Sequence, residues 1–227
     1  MKKVVELIIL LVGVLFVSCM KEIKFSPKVE IEEIKVTDAR TYCVLKVTDS
    51  KKSQLKTIGV CINTNTQNTR YDNYRDPFRG NCQYHVYVTP GNNKEKIVVD
   101  ITGKISGTTD IKPYVEKKSG AVVYGETRRV SLIDGLKIES IGTTSVRLSA
   151  VAHGTFYEYG FCYSTSQAPT VSQVHLVCGD NGGGSYEGVI TGLRRGTRYY
   201  VRGYVIQRNG SDTFVSYSDE ISFKTNN

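Results

Sequence analysis

Between Gly192 and Val205 the chain reads GLRRGTRYYVRGYV, the end of one strand, a tight corner and the whole of the next strand. Side chains alternate across a strand. Tyr199, Val201 and Gly203 are therefore expected on an inward face, and Arg198, Tyr200, Arg202 and Tyr204 on the outward one. The same period of two recurs where Val146, Leu148 and Ala150 alternate with Arg147 and Ser149. Asn209-Gly210 supplies a hairpin turn into a last strand over 214–224. No helical period of comparable length follows the N-terminal apolar run. Fifteen Tyr and 21 Gly beside five Pro and no Trp also favour strands joined by many turns.

The chain repeats itself at a spacing near a hundred residues. Residues 34–38 and 43–47 answer 138–140 and 146–150, and 58–64 (IGVCINT) answer 159–165 (YGFCYST). Ile101-Thr102-Gly103 matches Ile190-Thr191-Gly192, and Pro113-Tyr114-Val115 matches Gly203-Tyr204-Val205. These correspondences define two units, 29–132 and 133–227. The connection between them has no Gly/Ser or Pro run, which implies a stiff tandem rather than freely jointed beads.

Leu193, Gly196, Thr197, Tyr199 and Val201 resemble the L-x-x-G-T-x-Y-x-V signature of fibronectin type III domains. The resemblance implies an all-β fold class: two tandem immunoglobulin-like or fibronectin type III sandwiches, each with the seven strands and roughly one hundred residues usual for that architecture. It also implies that the Tyr199 hydroxyl bonds upstream backbone while its ring fills the core. In the first copy Thr109 or Asp110, depending on one gap, stands where Tyr199 stands in the second. That copy is expected to be a looser, immunoglobulin-like relative. Such sandwiches host many functions, so the fold names no ligand.

Lys2 and Lys3 precede an apolar run over 7–17 that is too short for a comfortable span and ends at Ser18-Cys19. Residues 1–18 read as a signal peptide. Phe16-Val17-Ser18-Cys19 resembles a bacterial lipobox, which implies cleavage before Cys19 and acylation of its thiol, with 19–28 as a polar tether. Ordinary secretion with cleavage nearby is the alternative. No Asp follows Cys19, which is compatible with an outer-membrane lipoprotein held by its N-terminal lipid. As a whole the chain resembles the tandem fibronectin type III lipoproteins common in the Bacteroidetes.

Five cysteines remain after Cys19. Cys43, on an apolar alternating strand, is the expected buried thiol. Cys61 and Cys162 occupy equivalent places, each followed by one more cysteine, Cys82 and Cys178, at a distance that permits a disulfide across neighbouring strands. Metal binding is disfavoured, because no CxxC or paired histidine accompanies them.

His85, His153 and His175 show no catalytic or metal-ligating spacing. Gly182-Gly183-Gly184-Ser185 is neither a nucleophile elbow nor a phosphate loop, and is expected to be a tight turn. The chain therefore reads as a non-enzyme without a cofactor. The net charge of +8 is spread among acidic residues, which speaks against nucleic acid and for a solvated basic surface.

Two features are candidates for binding. One is the outward file Tyr200, Arg202 and Tyr204; the other is an insertion in the first copy that carries Arg70, Tyr71, Tyr74, Arg75, Phe78 and Arg79. Arg and Tyr are enriched at binding surfaces, although they also cover sheet faces by cation–π packing. The expected function is a surface-anchored binding or adhesion module for a glycan or protein. The alternative is a structural spacer or subunit of an envelope or fimbrial assembly.

Overall fold

The computed structural model describes residues 26–48, 54–64, 82–90 and 96–227. The signal peptide, Cys19 and the insertion residues Arg70, Tyr71, Tyr74, Arg75, Phe78 and Arg79 lie outside the described residues. Those described form fourteen strands and no α-helix.

In the first copy, β1 (Lys28–Val36), β2 (Thr41–Thr48) and β5 (Lys96–Asp100) make one antiparallel sheet in the order β1-β2-β5. A second sheet has the order β4-β3-β6-β7, from β4 (Tyr84–Val88), β3 (Leu55–Asn63), β6 (Thr109–Lys117) and β7 (Val122–Tyr124), with β8 (Arg128–Val130) continuing beside β6. Alternation explains the packing. Cys43, Leu45 and Val47 of β2 and Val99 of β5 face Ile58, Val60 and Ile62 of β3 and Ile111 and Val115 of β6 across a common core. Each such aliphatic side chain contributes about 1.5–3 kcal/mol on burial.

The second copy has one continuous six-stranded sheet. Its strands are β9 (Ile133–Ile141), β10 (Val146–Ser164), β11 (Val174–Ile190), β12 (Arg198–Asn209), β13 (Asp212–Tyr217) and β14 (Ile221–Lys224), ordered β11-β10-β12-β13 with β9 on β10 and β14 on β12. The 19-residue β10 and 17-residue β11 run through both layers of the sandwich. One half of β10 pairs β9 and the end of β11; the other half pairs β12 and the start of β11. Between the halves the register slips from Ala152↔Gly184 to Phe156↔Gly182. A bulge of this kind bends a strand and increases its twist. Gly182-Gly183-Gly184, expected as a tight turn, therefore lies inside a strand at its bend. The reason is steric: a Cβ on Gly183 would collide with the carbonyl of Gly154 on the facing strand, and Gly184 has φ 94°.

The corner of the second copy has its expected geometry. The Arg194 backbone N–H donates to the Tyr199 hydroxyl at 3.0 Å, and the buried ring stacks on Phe223 at 5.8 Å and meets Tyr163 edge-on. In the first copy Thr109 does this work with a shorter side chain. Its fully buried hydroxyl donates to the Ser106 carbonyl at 3.2 Å and accepts from the Ser106 N–H at 3.3 Å.

The two copies meet over polar and apolar contacts. Gln207 of β12, 1% exposed, accepts from Thr41 Oγ1 at 3.1 Å and donates to the Thr37 carbonyl at 2.7 Å, while Arg208 N–H donates to the Asp38 carbonyl at 2.9 Å. Thr108 Oγ1 donates to Asp219 at 2.8 Å. Around them the buried apolar residues form one cluster that includes side chains of both copies.

Candidate functional site

Strand β12 presents its odd-numbered residues from Tyr199 to Gly203 to the core and Arg198, Tyr200 and Arg202 to the other face. Arg198 is exposed and Tyr200 half-buried. The half-buried Arg202 places its guanidinium 4.3 Å over the Tyr217 ring and donates from Nε to the Ser218 carbonyl at 3.2 Å. A desolvated cation over an aromatic face is worth up to about 2 kcal/mol.

Tyr204 departs from the expected pattern. It is 0% exposed, so it is not available as a surface binding residue. The cause is non-local: the segment 165–173 folds over this outer face. The Cys162 thiol reaches the Pro169 carbonyl, and Val171 N–H donates to the Tyr217 hydroxyl at 3.3 Å. Cys162, Tyr204 and Ile206 form a second apolar cluster there with Tyr157, Val171, Val215 and Tyr217. The Tyr204 hydroxyl is satisfied by Glu158 Oε1 at 2.8 Å. Burial, and after it that carboxylate, pushes the phenol far above its ordinary pKa.

Beside Arg202, a groove of about 840 Å³ opens between the copies. Thr64 and Gln83 line it from the first copy; Gln167, Arg202, Asp219 and Glu220 line it from the second. The groove is polar and carries both charges. Ala168, on its rim, has φ 54° and donates its N–H to Glu220. A non-glycine residue in this left-handed region is strained by about 1–3 kcal/mol, and such outliers cluster at functional sites. Thr64 is the residue before segment 65–81 and Gln83 the second after it, and Thr64 N–H donates to Gln83 Oε1 at 3.0 Å. The insertion thus joins the fold at the edge of the groove that holds Arg202.

The structure shows Cys43, Cys61, Cys82, Cys162 and Cys178 as thiols. Cys43 is fully buried as expected, and burial pushes its thiol up to about 12. Cys162 and Cys178, whose spacing permits a link, stand on opposite faces of the sheet. Cys162 faces the outer cluster with Tyr204, whereas Cys178 packs into the main core, where a Cβ on Gly188 would lie 2.9 Å from its sulfur. Alternation along β11 runs unbroken from His175, which opposes Cys162 and faces out, through Leu176 and Val177 to Cys178, which therefore faces the core beside Leu176.

The histidines take structural positions. His153 pairs with Asp134 at 2.6 Å on the surface, His85 stacks on the buried Tyr114 at 4.8 Å, and His175 meets Tyr204 edge-on at 5.7 Å. The last two repeat one arrangement, since Cys61 opposes His85 as Cys162 opposes His175. The matches of Tyr114 with Tyr204 and of Cys61 with Cys162 in the sequence repeat were the signal that this outer-face cluster existed. Among the described residues, no three His, Cys, Asp or Glu side chains converge to hold a metal.

No family model matches the chain, and no curated protein matches it. Among solved structures it is similar to the central fibronectin-III array of RIM-binding protein, at 11% identity and a TM-score of 0.31, over 88% of this chain and 68% of that one. Nothing about this chain follows from so loose a likeness. Its own sheet orders and corner hydrogen bonds define the class: an all-β protein of immunoglobulin-like, fibronectin type III-like sandwiches.

Proposed function

We propose that the protein is a non-catalytic binding module of a bacterial cell envelope, held at the outer membrane through acylated Cys19, with the groove between its two copies as the ligand face. The observation that carries this reading is the convergence at one place of Arg202 stacked on Tyr217, the carboxylates of Asp219 and Glu220, and the neck of the aromatic and Arg-rich insertion. A groove that offers a cation, carboxylates, amides and hydroxyls suits a polyhydroxylated glycan or a polar peptide segment. The insertion's Tyr71, Tyr74, Phe78, Arg70, Arg75 and Arg79 supply the ring faces and guanidinium groups that such ligands stack on.

The test combines a glycan array and a pull-down from envelope extract with thermal unfolding. Arg202→Ala and the triple change of Tyr71, Tyr74 and Arg75 to Ser should each weaken binding at least about tenfold, with stability changed by less than about 1 kcal/mol in the triple variant and by no more than about 2 kcal/mol in Arg202→Ala, which also loses its stacking on Tyr217. Intact binding beside a large loss of stability defeats the reading.

The buried Gln207 bridge favours a second reading, a stiff spacer or subunit of an envelope assembly. A buried amide that spans two units holds their angle. On that reading Gln207→Ala alters the solution scattering profile and assembly, while Arg202→Ala does neither.

A further inference from the structure

Cys61 and Cys82 are placed differently from every other cysteine pair in the described residues. Cys61 sits on β3, 2% exposed, directly across from His85 on β4. Cys82 lies two residues before β4 begins and is half-buried. It turns its sulfur back along the same two strands, 2.8 Å from the Tyr84 carbonyl oxygen and 4.0 Å from that of Ile62. Ile62 is the neighbour of Cys61 and pairs with Tyr84, so these contacts bring the Cys82 sulfur to the Cys61 side chain, and the two thiols hydrogen-bond. The buried Tyr114 lies on the same face as Cys61, stacked at 4.8 Å on His85, the residue that opposes Cys61. The second copy lacks this geometry, because Cys162 and Cys178 lie on opposite faces.

We propose that Cys61 and Cys82 are a thiol–disulfide pair, with Cys82 as the attacking sulfur and Cys61 as the resolving one, and that an oxidised low-molecular-weight disulfide is their oxidant. The division of labour follows from accessibility. Cys82 is reachable from solvent, and its contact with the Cys61 thiol holds its pKa below the ordinary thiol range, which raises the thiolate fraction. Cys61 is 2% exposed, so a reagent in solution meets Cys82 first. Burial keeps His85 below the ordinary imidazole pKa, so its neutral ring stands across from Cys61 as a proton acceptor.

In the first step the Cys82 thiolate attacks one sulfur of the small disulfide and expels the other as a thiolate, leaving a mixed disulfide on Cys82. In the second, Cys61 gives up its proton and attacks the Cys82 sulfur, expelling the second small thiolate. Two protein thiols are oxidised, one small disulfide is reduced to two thiols, and the protein's two protons leave with those thiols. The bond closes at the neck of segment 65–81 and leaves the β3–β4 ladder in register, because both sulfurs lie outside the main core.

The experiment incubates the full purified chain with glutathione disulfide, quenches with an alkylating agent in denaturant, and maps the peptides by mass spectrometry. The expected result is a Cys61–Cys82 linked peptide, lighter than the two reduced peptides by two hydrogen atoms and abolished by dithiothreitol. Native-state alkylation should run at least about tenfold faster at Cys82 than at Cys43. Cys82→Ser and Cys61→Ala should each abolish the link, and in Cys61→Ala the glutathione adduct should persist on Cys82. Cys178→Ser should leave the link intact. A wild-type chain in which Cys82 carries glutathione while Cys61 remains alkylatable, or in which both are alkylated in full, overturns the proposal; so does a Cys162–Cys178 link in its place.

Discussion

Replacing Tyr199 separates the two roles that one side chain performs at the corner. Tyr199→Phe keeps the ring against Phe223 and Tyr163 and removes only the acceptor of the Arg194 N–H. That N–H is part-buried, so leaving it unpaired costs about 1–2 kcal/mol. Tyr199→Ala also empties the space of a ring that is 7% exposed, and the lost transfer and cavity terms for a buried aromatic bring the total to about 3–5 kcal/mol. For a chain of this size each kcal/mol lowers the midpoint by roughly 2–4 °C, so the two changes should lower it by about 4 °C and about 12 °C. Tyr200→Ala, on the opposite face, should remain within about 1 kcal/mol of the parent. Calorimetry of the purified chain and of the three variants measures all four midpoints. Equal losses for Tyr199→Ala and Tyr200→Ala would show that the faces of β12 are reversed. An unchanged Tyr199→Phe would show that the corner hydrogen bond contributes nothing.

Gln207→Leu removes the amide that makes both hydrogen bonds of the junction bridge, leaves the Thr41 hydroxyl and Thr37 carbonyl unpaired, and should cost about 1–3 kcal/mol, with faster amide exchange at residues 37–41, read by hydrogen-exchange mass spectrometry. Gly103→Ala should destabilise by at least about 1 kcal/mol in thermal unfolding, because φ is +69° and the new Cβ would lie 2.7 Å from the Phe214 ring. Burial raises the Cys43 thiol from 9.0 to about 12 and the Cys162 thiol to about 11. Between those values the folded chain holds protons that the unfolded chain has released, so this stabilisation is complete below pH 9 and is lost as pH rises towards 11–12. Denaturant titrations across that window should show falling stability, with a shallower fall in Cys43→Ala. Cys19→Ala should leave an uncleaved or soluble protein, while the parent carries an acylated Cys19 in the detergent phase; intact mass decides it.

The parts of this fold that depend on neighbours in sequence were legible in it. Alternation placed Tyr199, Val201 and Gly203 inward, and the Asn209-Gly210 hairpin follows from local turn chemistry. Tyr204 obeyed the same alternation and was misplaced, because its burial comes from segment 165–173, which no period reports. Gly182–Gly184 has the composition of a turn, and only the approach of Gly154 from another strand makes it a bend. The spacing of Cys162 and Cys178 permits a link, but only the pairing of Cys162 with His175 shows that alternation along β11 carries Cys178 to the other face. The groove requires two copies in contact and has no signature within either. Arg202 was visible as a candidate, whereas Asp219, Glu220 and the strained Ala168 gain their setting from the junction.

The bent pair β10 and β11 bears on how the second copy assembles. In the first copy the two layers are separate sheets, each with its own ladder. In the second, a single hairpin spans residues 146–190 and belongs to both layers, so its closure fixes their angle and offset before β9 or β12 has joined. The strands of that hairpin are close in sequence, so the loop entropy of bringing them together is small compared with that of the β2–β5 pairing across the first copy. The second copy should therefore gather first around the β10–β11 ribbon and present the end of β12 as a ready surface, on which the Thr37–Arg40 turn of its neighbour settles last.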